Sequence, residues 1–579
     1  MMKPQLLYLS YVMKCINTYF IIVFITSYSF GQKDNALSRA IKVSGNVNIF
    51  GSISNSSDSN VVINPYSYGV SFSTSLKTKY ITLPFNFRYS DNGRNASYPF
   101  LRFGLAPRIK WAKFYLGNNN ISFSRYAFTG FNVFGLGFEI NPSVFYLGAF
   151  AGRFQKAVFI DSTDIAYNRV TPKYKTNGFV IKAGLKTRKN AFLLTYASAY
   201  DDKSSISYYN PKFKIKPRRS KTIGSEILVT LHQNIFYHFN AGLSIYTRDV
   251  NGIHIDSILR NSGEKELPKW SGILEKKPNL TTQLTFAHDH VLSYGSKNLY
   301  LNLRYKYIQP EYKALGLANI NTDISQWSIE PGFKLHNQTL ILNLVFGKQT
   351  NNLNQKLITR NNNTIFNINA TYIPNDRFNA NVVFSNFGLI TNATNPDKFD
   401  SISIQNVSNN LNINAYYAFS KSIEVIQAVN VSFSRQGLVE IYEFNPLFDK
   451  SFNNLNAIVA YNYNDIKKHS YSIGFNYNNS YSLFLASQNV KGNVKSYGIN
   501  AAFSKNLIQE KLAINLNNSF NLAGAEGEKS KPAFSLGLSV SLSLTKRSSL
   551  VVSGTTSRMT ISERGITQNY INANITQNF

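Results

Sequence analysis

The residues of this chain with the spacing for chemistry are His288, Asp289 and His290. Two imidazoles at i and i+2 around a carboxylate could hold a metal on a strand edge. No third ligand stands at motif spacing, and a turn closes nearby at Gly295. The run is therefore read as a solvated turn at the end of a strand. His232, His238, His254, His336 and His469 are isolated. The one cysteine, Cys15, lies in the leader segment, so disulfides, thiolate metal sites and a cysteine nucleophile are not expected in the mature chain. No GxSxG, HExxH or phosphate loop is present. The glycines of Gly135-Leu136-Gly137 fall within a strand, where they make room for neighbouring side chains. The chain is not expected to be an enzyme, nor to carry a metal or a cofactor.

The elements that position these residues are strands. In residues 534–544, FSLGLSVSLSL, large apolar side chains alternate with serine and glycine. A period of two puts one set on each face. One face is apolar and the other small and polar, over a length suited to a tilted strand crossing a bilayer. The same pattern recurs. Leu299, Leu301, Leu303, Tyr305 and Tyr307 oppose Tyr300, Asn302, Arg304 and Lys306. Leu512, Ile514, Leu516 and Phe520 oppose Ala513, Asn515, Asn517 and Ser519. Short turns at 77–80, 141–143, 187–190, 232–235, 336–339, 374–377, 419–423 and 545–549 alternate with long polar segments. The long segments are 155–177, 201–223, 248–278, 309–324, 349–365, 388–410 and 434–453. The expected fold is all-β, a closed antiparallel transmembrane barrel with short periplasmic turns and long outside loops. Following the parity gives about 26 strands, an even number, provided that 484–494 is a short outside loop and 478–481 is not a turn. Residues 118–130 are expected to fold partly into the lumen.

Residues 1–31 have the features of an export signal. Lys3 and Lys14 precede an apolar run, and the expected cleavage lies between Gly31 and Gln32, leaving 32–579 as the barrel. The last strand, YINANITQNF, places Ile571, Ala573, Ile575 and Phe579 on one face and begins at Tyr570. Such an amphipathic strand ending on an aromatic resembles the insertion signal read by the outer-membrane barrel assembly machinery. With 36 Tyr and 43 Phe, the composition suits aromatic girdles. The location expected is the outer membrane.

The block of residues 111–157 resembles a large, porin-like outer-membrane barrel family of the Bacteroidota. Trp111, Gly117, Gly130, Gly135, Gly137, Pro142, Gly152 and Arg153 carry the likeness. It implies a fold and a membrane, without a settled activity.

The net charge is +31, yet the basic residues are scattered. Anionic lipopolysaccharide, other outer-membrane lipids or an acidic protein are therefore expected partners rather than nucleic acid. Arg88, Arg102, Lys113, Lys182, Lys186, Arg304 and Lys306 all fall on the inward parity. Such a basic ladder would either favour anionic solutes or pair with carboxylates of inward loops. The basic loop 212–221, KFKIKPRRSK, lies outside on this topology. Two functions follow. One is a porin-like channel narrowed by inward loops such as 248–278. The other is a platform whose lumen is filled by a plug lipoprotein or a secreted or surface protein.

Overall fold

A computed structural model describes residues 42–579, except 58–65, 91–100, 159–171, 207–214, 256–277, 319, 395–402, 423, 443–448, 466–467, 486–489, 509–510, 546 and 562–563. The signal segment, with Gly31 and Gln32, lies outside the described residues.

Each strand hydrogen-bonds to its sequence neighbours in antiparallel register, because tight turns leave no other partner within reach. The first strand, Lys42–Ser56, closes on the last, Arg564–Asn578, with Ile49 opposite Ile575 and Ile53 opposite Ile571. Closure removes both sheet edges, which a bilayer requires since it offers no water to unpaired backbone groups. Leu101–Leu105 and Arg108–Ile109 both lie between Ile81–Ser90 and Ala112–Ile121. They are one strand interrupted at Ala106-Pro107, where proline has no N–H to give the ladder. Counted so, the wall has 26 strands, as the parity predicted. Residues 478–481 lie inside the strand His469–Leu485, and the next strand begins at Val490.

Cross-strand neighbours share a face, so the register also fixes facing. On the outside, Leu516 meets Leu538 and Phe520 meets Phe534. Phe72 is flanked by Phe85 and by Phe579, the latter at 6.1 Å between ring centroids. Phe579 also exchanges two backbone hydrogen bonds with Gly45, both 3.1 Å. Large apolar side chains are exposed all around this outer face. An apolar surface of that extent facing outward is stable only against lipid. No helix among the described residues is long and apolar enough to cross a membrane.

The buried core is in the lumen. Phe123, Phe128, Phe150, Phe154, Val180 and Leu315 pack together there, and Tyr126, Tyr312 and Ile308 form a second cluster.

Candidate functional site: an asymmetric lumen

Two segments fold from the wall into the lumen. The first, residues 122–130, turns back on itself as a short hairpin in which Phe128 N donates to Ser124 O at 3.0 Å and Ser124 N to Phe128 O at 3.1 Å. Gly130 ends it in the left-handed region, at φ +81°, which a side chain would strain. The second, residues 309–318, was expected to be an outside loop. It instead enters the lumen, because its apolar residues have a surface to cover there: Tyr312 is fully buried and Leu315 and Leu317 nearly so. The two segments join edge to edge. Thr129 N donates to Gly316 O at 3.0 Å, Ala318 N to Thr129 O at 3.1 Å, and the Tyr312 hydroxyl to Tyr126 O at 2.6 Å. Burial pushes both phenols well above their ordinary pKa.

Inward glycines in the wall make the seat. A Cβ at Gly224 would lie 3.1 Å from the Ala127 Cβ, at Gly242 within 2.5 Å of the Tyr126 Cβ, and at Gly148 within 2.8 Å of the Phe123 ring. Polar wall residues supply the pins. Ser220 Oγ accepts from Leu315 N at 2.9 Å, and Ser244 Oγ donates to Lys313 O at 2.5 Å. Of residues 118–130, expected to fold partly into the lumen, 118–121 stay in the strand Ala112–Ile121 and the inward course begins at Ser122.

The predicted basic ladder divides in two. Lys182 is 7% exposed; its ammonium donates to Phe123 O at 2.6 Å and pairs with Glu226 at 2.7 Å. Lys113 donates to the Tyr115 hydroxyl at 2.6 Å, and that hydroxyl donates in turn to Glu139, which also accepts from Tyr146 at 2.9 Å. Arg304 lies 3.5 Å from Glu330. Lys306 stands opposite Asp289 in register. Arg88 and Arg102 stand directly opposite each other, and Lys186 lies 5.5 Å from the Tyr146 ring. No described carboxylate pairs with Arg88.

His288, Asp289 and His290 are not at a solvated turn. They sit mid-strand in Thr282–Gly295, and the period of two splits them. Asp289 points inward, fully buried, and binds Arg125 of the first inward segment at 2.9 Å. His288 and His290 point outward, their ring nitrogens 3.1 Å apart, among Phe286, Tyr305 and Tyr307. Among the described residues no group of three ligands could hold a metal.

The other half of the wall is different. From Thr359 through the seam to Lys77, the inward parity carries no charge except at strand ends, at Lys42, Lys77, Glu440, Lys450 and Lys531, among the described side chains. Asn412, Ser434, Asn456, Asn478 and Ser496 form one cross-strand row there. Neighbouring amides bond to each other, as Asn478 to Asn454 at 3.1 Å and Asn500 to Asn476 at 3.2 Å. Among the described residues, neither inward segment bonds to this half. Sequence reasoning missed this division, although parity alone contains it.

No family model matches the chain, and no curated protein matches it. Among solved structures it is similar to OccK11 (OpdR) of Pseudomonas aeruginosa, with 7% identity over 93% of this chain and 96% of that one, at a TM-score of 0.30. It is also similar to the outer membrane protein OpdK of Pseudomonas aeruginosa, with 6% identity over 93% and 99% at a TM-score of 0.27. The translocation pore of the P pilus usher PapC matches at 11% identity over 93% and 99%, with a TM-score of 0.26. Likeness at this level carries no argument about function.

Proposed function

We propose that the chain is an outer-membrane channel for polar solutes, with its aqueous path between the inward segments and the uncharged half of the wall. The observation that carries this reading is the division of the lumen: inward chain lies against the charged half, and the other half keeps an uncharged surface rich in Asn and Ser facing the cavity. The apolar outer face and the sorting of turns to one end support an outer-membrane location. Membership of the Bacteroidota barrel family suggested by residues 111–157 belongs to the same proposal.

An anion preference, where present, is assigned to Arg88, with which no described carboxylate pairs. Lys113, Lys182 and Arg304 are held by carboxylates or by the inward segments and contribute little net field. Arg88 and Arg102 lie where the charged half meets the neutral half. The test is reversal potential in planar bilayers under a salt gradient. R88E should move the preference toward cations, whereas K113Q should not. Unchanged reversal in R88E would remove the anion assignment, and a pure barrel with no conductance would remove the channel.

One observation favours a platform as the second reading. With strands about 4.8 Å apart and tilted by roughly 40°, a circular wall of this strand number spans about 50 Å between opposite backbones. The two inward segments cover part of that span. A stoichiometric partner co-purifying with a non-conducting barrel would select the platform.

A further inference from the structure

Outward-facing cations of the described strands gather at one margin of the wall, with Lys505 the exception at the other. Arg153, Lys221, Lys348, Arg435, Lys495 and Arg558 all face outward, in the parts of their strands away from the short turns. In each strand except that of Lys495, where six intervene, four or five outward positions separate the short-turn end from the cation, as with Leu340, Leu342, Leu344 and Phe346 below Lys348. Two residues rise about 6.8 Å along a strand, so at a tilt of roughly 40° four or five such steps climb about 21–26 Å. That matches an apolar band of about 25 Å. The cations therefore sit at the upper edge of the lipid-facing band, level with headgroups.

Carboxylates do not answer them. The outward positions of the described strands hold two, Asp202, which is paired with Lys175 at 2.7 Å, and Asp465 at the opposite margin. Arg153 lies over the Phe134 ring at 5.0 Å, which holds the guanidinium at the surface without neutralising it. At the short-turn margin the corresponding outward residues are mostly apolar, such as Phe145, Leu340 and Leu550. A belt of cations at one headgroup level calls for anions at that level.

We propose that this belt binds the phosphate groups of a phosphorylated glycolipid in the outer leaflet. The proposal rests on the outer-membrane reading but not on conduction. The phosphates would sit at the ring of ammonium and guanidinium groups while the acyl chains cover the apolar band below. Arginine gives forked contacts and lysine point contacts, so retention should weaken with salt.

The test uses the whole barrel in detergent, with diphosphorylated lipid A, its dephosphorylated form and phosphatidylglycerol as probes, read by native mass spectrometry. The expected result is retention of diphosphorylated lipid A at least tenfold above both others, lost in R153Q/K348Q/R435Q/R558Q. A charge-matched control, K79Q/R188Q/K189Q/K297Q in the short turns, should retain it as the parent does. Heat-modifiable migration in gels confirms that each variant is a folded barrel. Equal retention of the dephosphorylated form would overturn the phosphate assignment. Equal retention of phosphatidylglycerol would overturn the glycolipid assignment. Retention unchanged in the belt variant would overturn the site. Conductance recorded on the same preparations fails independently of all three.

Discussion

Replacing Lys182 with methionine should undock the hairpin 122–130 while leaving the barrel closed. The ammonium is nearly buried, donates to Phe123 O at 2.6 Å and pairs with Glu226 at 2.7 Å. Methionine preserves the bulk and removes both interactions. Breaking a buried pair costs about 3–5 kcal/mol. Glu226 is about a third exposed, at 31%, and rehydrates, so the loss falls to about 2–3 kcal/mol. At 1.36 kcal/mol per decade, the undocked fraction rises about 30- to 150-fold. The assay is maleimide labelling of Ser124→Cys, with Cys15 replaced by serine. Ser124 is 7% exposed and sits against Gly224, so labelling requires local opening. The labelling rate should rise by that factor in K182M. K186M, which removes an exposed lysine with no described carboxylate partner, should leave it unchanged. A K182M rate equal to that of the parent would refute the anchoring argument outright.

Three further outcomes follow from the same geometry. Gly242→Val forces a side chain into the space of Tyr126 and Tyr312; overpacking of about 1–3 kcal/mol should speed Ser124→Cys labelling and enlarge the conductance, and neither change would mean that the segments do not seat there. Hydrogen bonds from Gln283 and Arg248 hold the Glu311 carboxyl below its usual range. A depressed pKa stabilises the docked segment above the ordinary value of about 4.3 and loses that contribution as pH falls through the folded value. Current noise should therefore stay flat from neutral to about pH 4.5 and grow below it in the parent, and should not depend on pH there in E311Q. Phe579→Ala removes the ring stacked on Phe72 beside the seam; assembled barrel in the outer membrane should fall at constant transcript level, and undiminished assembly would show that the terminal ring is dispensable.

The barrel was legible because facing is binary. A residue points to lipid or to the lumen, and a charged side chain on the lipid face costs about 2–4 kcal/mol at midplane, so Leu299–Ile308 or Leu512–Ala525 can be faced without coordinates. The alternation of short and long connections then sets the strand number. What parity cannot supply is which loops turn inward. Residues 309–318 read as polar loop, since their burial depends on partners 95 and 186 residues away, Ser220 for Leu315 and Tyr126 for Tyr312. The His288-Asp289-His290 run reads as a solvated turn because Gly295 follows closely, but the strand runs on to Gly295, and its period of two sends Asp289 to the lumen and both histidines to the outside. One signal was available. Gly148, Gly224 and Gly242 are inward glycines in otherwise ordinary strands, and each marks a place where another segment approaches the wall.

The two halves of the lumen wall follow different physical demands. Where inward chain lies against the wall, backbone carbonyls and apolar side chains must be held by groups that do not let go, and charge-assisted bonds such as Lys182 to Phe123 O and Asp289 to Arg125 are the strong ones. Each such charge needs an opposite partner close by, so the half richest in ionisable residues presents little unbalanced field. The other half has no segment to hold, and charges there would pair with nothing and bind permeating ions. Short amides and hydroxyls satisfy one another along the row from Asn412 to Ser496 and still offer hydrogen bonds to a passing solute. A net charge of +31 is thus a poor guide to the field along the path. The inward charge assigned to it is Arg88 at the border, which is why reversal potential in R88E discriminates where a count of basic residues does not.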